Sequence, residues 1–337
     1  MNSVIIPEGY RSLLGLYDTQ NAIGLLKRLF EDMLSGNLHL QRVSAPLFVN
    51  AATGLNDDLS GVERAVSFDI PATGGMGQVV HSLAKWKRLA LHTYGFQNGN
   101  GLVTDMNAIR RDEDIDNLHS IYVDQWDWEK IMMPDQRNIE FLKETVRNII
   151  AAVCDAQQTL KAVFPTLCEV SDICREVTFV TTQELEDKYP SLTAKEREQA
   201  VTKEFGTVFL IGIGGALDSG KPHDGRAPDY DDWTLNGDIL CWHEALGVAV
   251  EISSMGIRVD AAAMERQLAV AGCLERKEFP FHKMLLAGEL PQTIGGGIGQ
   301  SRLCMLMLGA VHIGEVQASL WDEATMKACA DAGVSLL

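Results

Sequence analysis

GGGIGQSR, residues 295–302, decides how the rest of the chain is read. A stretch with strand character, 292–298, leads into it and an apolar helical stretch, 301–308, leaves it, so its form is G-x-G-x-G-x-x-R. Glycines at alternate positions remove side chains from one face of a strand, so a flat ring such as adenine can lie against the backbone. Arg302 then projects from the first helical turn, where a phosphate could meet it. Glycine-rich strands also arise where two backbones pack closely, and the run alone leaves both readings open.

Upstream, Arg110-Arg111-Asp112-Glu113-Asp114 precedes a strand at 120–129. Alternation puts Gln125, Asp127 and Glu129 on one face and Trp126 and Trp128 on the other. A polar strand face is ordinarily solvated. The preceding arginines favour a ligand instead, because a guanidinium can grip an α-phosphate and offset the charge that grows there. A third piece, GNLHLQRVSAPLF at 36–48, reads as helix, then strand, then Pro46.

Helices are expected at 19–34, where Ile23, Leu26, Phe30 and Leu34 recur at helical spacing and Gly36 follows, and at 82–94, 138–164, 193–205, 260–271 and 301–308. Strands are expected at 38–43, 120–129, 177–181, 207–213, 239–242, 248–253 and 292–298. Their irregular alternation lacks the rhythm of a parallel sheet. The expectation is an α+β fold, a mostly antiparallel sheet flanked by helices, in one domain over 1–337 with an N-terminal tail at 1–15. No repeat or linker divides the chain.

The 337 residues carry a formal charge of −17, which repels phosphate backbones and offers no broad basic face to nucleic acid or anionic lipid. No apolar stretch approaches the roughly 20 residues of a membrane span. The start, MNSVIIPEGY, lacks a basic segment and a long apolar core, and the seven cysteines include no C-x-x-C pair. A cytoplasmic location is expected, without nucleic-acid or membrane partners. VFLIGIGG at 208–215 invites a dinucleotide reading, but Leu217 stands where the third glycine belongs and a loop follows. Gly220-Lys221 is followed by Pro222, which excludes a Walker A loop.

In this order, the three pieces resemble the signature motifs of class II aminoacyl-tRNA synthetases. That resemblance implies ATP bound in a bent form on an antiparallel sheet and a homodimer built around Pro46. Seven blocks extend it across almost the whole chain: DDLSGVERAV (57–66), HSLAKWKR (81–88), HSIYVDQWDWE (119–129), RAPDYDDW (226–233), LNGDIL (235–240), EISSMGIRVD (251–260) and PQTIGGGIGQSR (291–302). With them the chain resembles the ammonia-dependent asparagine synthetase (aspartate–ammonia ligase) family. It departs from the pattern in its first 15 or so residues and in a shorter stretch between Trp233 and Asn236.

The resemblance implies conversion of L-aspartate, ammonia and ATP to L-asparagine, AMP and pyrophosphate through a β-aspartyl adenylate, with Mg2+. It assigns ATP to Arg110, His119, Ser120, Val123, Gln125, Asp238, Ile239, Gly295, Gly297, Gly299 and Arg302. Asp238 and Glu251, hard oxygen donors, would hold the magnesium. Arg110 and Arg302 would offset charge at the α-phosphorus. Lys87 lies on an inward stripe with Leu83, Ala90 and Tyr94, while Lys85 and Arg88 are expected to point away. An inward lysine needs an anionic partner, and the resemblance makes that partner the substrate or the adenylate.

Arg258 with Ser254 would take the α-carboxylate of aspartate, and Gln125, Asp127 and Asp231 its ammonium or reacting end. Glu251, Arg110 and Arg302 complete the implied substrate shell. Read alone, the acidic run 229–232 is a solvated turn. Asp57 would bind ammonium and take its proton; read alone, it is a turn residue. Asn2 denies the chain the cysteine that some amidotransferases expose on losing Met1 to draw ammonia from glutamine. A tRNA-charging enzyme would need an anticodon-binding domain or a basic face, and a non-catalytic relative would have lost Lys87, Arg110 or Arg302; all three are present.

Overall fold

The computed structural model describes residues 4–57 and 63–337. Along the chain run α1 (Leu16–Leu38), β1 (Leu40–Arg42), β2 (Phe48–Asn50), β3 (Ser67–Ile70), β4 (Gly75–Val79), α2 (Ala84–Thr93), β5 (Gly101–Ile109), β6 (Tyr122–Ile131) and α3 (Ile139–Val163). Then follow β7 (Thr178–Thr181), α4 (Thr182–Lys188), α5 (Ala194–Phe205), β8 (Thr207–Ile211), β9 (Asp231–His243), β10 (Val248–Arg258), α6 (Ala261–Val270), α7 (Pro280–Leu286), β11 (Thr293–Gly299), α8 (Gln300–Leu308) and α9 (Glu323–Asp331).

The large sheet has the order β1-β5-β6-β11-β10-β9-β8-β7. Its inner pairs, from β5–β6 to β8–β9, are antiparallel, and the β1–β5 and β7–β8 pairs at its edges are parallel. The sheet is mostly antiparallel, as expected, and the parallel pair at each edge makes it mixed. Parallel neighbours need a crossover: α4 and α5 carry the chain from β7 to β8, and the segment containing α2 and a small β2-β4-β3 sheet carries it from β1 to β5.

One face of the large sheet meets α1, α3 and α8. Phe30, Ile149, Met305, Trp126, Trp128 and Ile298 belong to that common core, and Trp126 meets Phe30 at 4.7 Å between ring centroids. This layer holds the largest cluster of buried hydrophobic residues among those described, and apolar burial stabilises by roughly 25 cal/mol per Å2. The alternation read at 125–129 holds: the tryptophans enter the core, and Gln125 and Asp127 line a cavity on the opposite face.

Several boundaries moved. Helix α1 runs past Gly36 because the buried stripe continues to Leu38, and it ends at His39 in the left-handed region (φ 60°), whose N–H bonds to Ser35 O. Strand β9 begins at Asp231 and β10 continues to Arg258, with a register shift across 232–235: Gly256 pairs with Asn236 and Arg258 with Asp231. The segment from Ile5 to Ser12 is anchored: Ile5 N donates to Asn117 Oδ1 at 2.8 Å, and Tyr10 Oη and Ser12 Oγ donate to Glu315 Oε2 at 2.8 and 2.6 Å.

Candidate active site

Strand β11 lies between β6 and β10, and its register builds the site. Gly295, Gly297 and Gly299 stand opposite Glu129, Asp127 and Gln125 of β6; on the other side Gly297 pairs with Ser254, which pairs with Asp238 of β9. Directly paired residues share a face. Asp238, Ser254, Gly297 and Asp127 thus form one row across four strands.

The glycines are required by what their neighbours do. A Cβ on Gly295 would lie 2.1 Å from Glu129 Oε2 and 2.7 Å from Arg258 Nη2, and one on Gly297 would lie 2.4 Å from Gln125 Oε1. Gly295 makes room for an ion pair and lines neither of the two cavities on this face, whereas Gly297 lines both and Gly299 the second.

The first cavity, about 390 Å3, is lined by Asp57, Lys87, Arg110, Gln125, Asp127, Asp231, Glu251, Ser254 and Arg258, as expected, and also by His81, Arg226 and Tyr230. Lys87 Nζ bonds to Asp127 Oδ1 and donates to Gly296 O at 2.9 Å. Burial pulls the Lys87 ammonium down while Asp127 opposes the shift. Asp127 Oδ2 is buried without a hydrogen-bond partner among the described residues, an acceptor facing a cavity.

Arg258 donates from Nε and Nη2 to Glu129 at 2.7–3.1 Å and from Nη1 to Asp231, while Thr293 Oγ1 donates to Glu129 Oε1 at 2.7 Å. Burial raises the Asp231 carboxyl against the pull of Arg258. Asp57, 2% exposed, is fixed through its neighbour: Asn56 Oδ1 accepts from Asp57 N and His81 N, and His81 Nδ1 meets Asp57 O at 3.0 Å. Of the block containing Asp57, residues 58–62 lie outside the described residues.

The second cavity, about 320 Å3, adjoins the first through Arg110, Gln125, Glu251 and Gly297, and adds His119, Ser120, Val123, Gly299 and Arg302. Arg302 Nη1 donates to Glu251 O at 3.0 Å, and Arg110 lies 3.7 Å from Glu113. Ile239 does not reach this cavity; its side chain faces the helical layer. Asp238 lines neither cavity and is held by Arg226.

Two expectations for α2 fail. Lys85 and Arg88 are both 4% exposed while Tyr94 is 55% exposed. Lys85 Nζ donates to Asp229 Oδ2 at 3.2 Å, and Arg88 donates to Pro291 O and Val259 O at 2.8 and 2.7 Å. The acidic run is no solvated turn either: Asp229, Asp231 and Asp232 are buried and neutralised by Lys85, Arg258 and Arg137 respectively. Strand alternation places Glu129 on the active face without assigning it a role, and Arg226 and Tyr230 fall inside RAPDYDDW, so the sequence carries these signals without their partners.

The implied magnesium can be tested against Asp238 and Glu251. Burial raises the Asp238 carboxyl to about 6; Arg226 opposes the rise and the charge of Glu251 adds to it. Both side chains offer hard oxygens, but Arg226 takes both oxygens of Asp238, so a cation would have to displace it. No cluster of three or more His, Cys, Asp or Glu is placed for a metal among the described residues, so phosphate oxygens would complete the shell.

The aspartate-ammonia ligase family model matches residues 17–333. The chain belongs to the aspartate–ammonia ligase family. Curated family members named aspartate–ammonia ligase include one from Clostridium perfringens, 60% identical with all of both chains covered, and one from Levilactobacillus brevis, 55% identical with 99% of each covered. Among solved structures, this ligase-family chain is similar in fold to the asparaginyl-tRNA synthetase of Entamoeba histolytica in complex with asparaginyl-adenylate. The TM-score is 0.67 at 14% identity, covering 90% of this chain and 66% of that one. The Pyrococcus horikoshii asparaginyl-tRNA synthetase with the same adenylate gives 0.65 at 15%, covering 91% and 70%. These likenesses establish a class II synthetase-like catalytic fold.

Proposed function

We propose that the protein makes L-asparagine from L-aspartate and ammonia, driven by ATP, through a β-aspartyl adenylate. The observation that carries this reading is the junction of the cavities. A pocket offering both charge signs meets a second cavity flanked by Arg302 at Gly297, Arg110 and Gln125. Arg258 and Ser254 receive the α-carboxylate; Asp231 and Asp127 Oδ2 receive the α-ammonium. Lys87 and Arg110 face the β-carboxylate. Its oxygen attacks the α-phosphorus, pyrophosphate leaves, and Arg110 and Arg302 offset the charge that develops. Mg2+ held by Asp238 and Glu251 would neutralise the polyphosphate. Asp57 takes a proton from ammonium, the resulting ammonia attacks the acyl carbon, and AMP leaves.

The enzyme is proposed to be a cytoplasmic homodimer joined around Pro46, acting in one domain and without nucleic acid. Leu47 and Phe48 beside Pro46 are 55% and 44% exposed, apolar surface a second subunit would cover. No described helix is long and apolar enough to cross a membrane. Incubated with aspartate, ATP and Mg2+, the protein should form asparagine and AMP with ammonium as nitrogen source. Formation of ADP, or equal use of glutamine, would sink the mechanism.

A further inference from the structure

Arg226, on the segment between β8 and β9, bonds through Nη2 to both carboxylate oxygens of Asp238. The two side chains are 15% and 8% exposed. The guanidinium is not docked as a fork: Nη1 donates to Gly225 O at 3.1 Å, and Nε is buried without a hydrogen-bond partner among the described residues. A fork-on-carboxylate pair engages two nitrogens and is hard to displace. Here one nitrogen makes the whole contact. Gly225 and Asp224 beside it are exposed, so the segment has room to withdraw.

Arg226 lines the first cavity and Asp238 lines neither, which places the guanidinium on the cavity side of the carboxylate. Glu251, whose charge Asp238 also feels, lines both cavities. A divalent cation on Asp238 needs at least one of the oxygens that Arg226 now takes, and the guanidinium charge beside it opposes that binding.

We propose that Arg226 is a resident counter-cation that competes with the divalent metal for Asp238, so that metal enters with the nucleotide and the released guanidinium passes to its phosphates. The inference rests on the reading of Asp238 and Glu251 as metal ligands. Metal and nucleotide then strengthen one another's binding by the same factor, and metal without nucleotide is held weakly.

The test uses Mn2+ followed by electron paramagnetic resonance, with circular dichroism of each variant. Without nucleotide, Arg226→Gln should bind Mn2+ at least tenfold tighter than the native protein, and Arg226→Lys, which keeps the charge, should bind it as the native protein does. Asp238→Asn provides an independent arm: its freed Arg226 should bind metal-free α,β-methylene-ATP at least threefold tighter in calorimetry. Unchanged Mn2+ affinity in Arg226→Gln, or no gain in Asp238→Asn, overturns the proposal. The metal assignment is read separately from Glu251→Gln, which should lose at least fivefold in affinity for the magnesium complex of the same nucleotide. If that affinity is unchanged, the metal ligands are misassigned; if it falls while both Arg226 arms fail, the ligands stand and the counter-cation role is rejected.

Discussion

Arg258 and Arg302 reach into the same active face and are held very differently. Arg258, in the acid pocket, is 3% exposed as a side chain and makes four bonds to Glu129 and Asp231. Arg302, in the nucleotide cavity, is 22% exposed, donates to one backbone carbonyl and lies 3.9 Å from the Glu251 carboxylate. Arg110 repeats the looser pattern, 26% exposed and 3.7 Å from Glu113. On the proposed function, the acid pocket would hold a small zwitterion in one orientation, which suits charges locked before the ligand arrives. The second cavity would meet a polyphosphate, which suits cations only lightly engaged. The teaching is that one sheet face can be rigid and charge-neutral at one end and reactive at the other.

The sharpest way to break this contrast is Glu129→Gln, which leaves Arg258 and Asp231 imperfectly matched in a dry site. It should destabilise the fold by about 3–5 kcal/mol, seen in denaturant unfolding, whereas Glu113→Gln at the loose end should change stability by less than about 1 kcal/mol. Similar losses from both would erase the distinction.

Arg302→Ala should lower aspartate-dependent pyrophosphate exchange by about 10^2–10^3-fold, with the unfolding midpoint nearly unchanged. Retained exchange would recast Arg302 as a brace for the Glu251 backbone.

The smallest effect concerns the support of the nucleotide cavity, which Ile313 and Gln317 line. His312, fully buried beside them, accepts from Gly314 N at 3.0 Å and meets the Trp321 ring edge-on at 4.7 Å. Burial lowers its pKa to about 4, against the opposing charges of Asp116 and Asp322. The folded state therefore favours the neutral ring. Its contribution is complete above pH 6.5 and is lost as pH falls toward about 4. Over that window stability should drop by roughly 1–3 kcal/mol more than in His312→Asn, by thermal melts at several pH values. Parallel melting curves would show that the ring is not the group titrating.

The active face was legible where periodicity is local. Strand alternation separates Gln125, Asp127 and Glu129 from the two tryptophans, and helical spacing turns Lys87 inward, because those patterns are set by backbone geometry within a few residues. What was not legible depends on partners far along the chain. Lys85 and Arg88 look like solvated charges until Asp229, Val259 and Pro291 are seen to neutralise or satisfy them. Asp231 and Asp232 look like a turn until Arg258 and Arg137 let them enter a buried strand. The small sheet, with strands Phe48–Asn50, Ser67–Ile70 and Gly75–Val79, is too short to carry a period.

The glycine strand β11 is central in space and late in sequence. Asp57, Lys87, Asp127, Asp231 and Arg258 all leave the ribosome before it, yet β6 and β10, which carry much of both cavities, touch through β11. Until that strand is synthesised, the two facing strands expose unpaired backbone edges of the kind that invites misassembly. A chain ending before residue 293 would carry the charged residues of the first cavity without Gly296 and Gly297, the backbone that joins them.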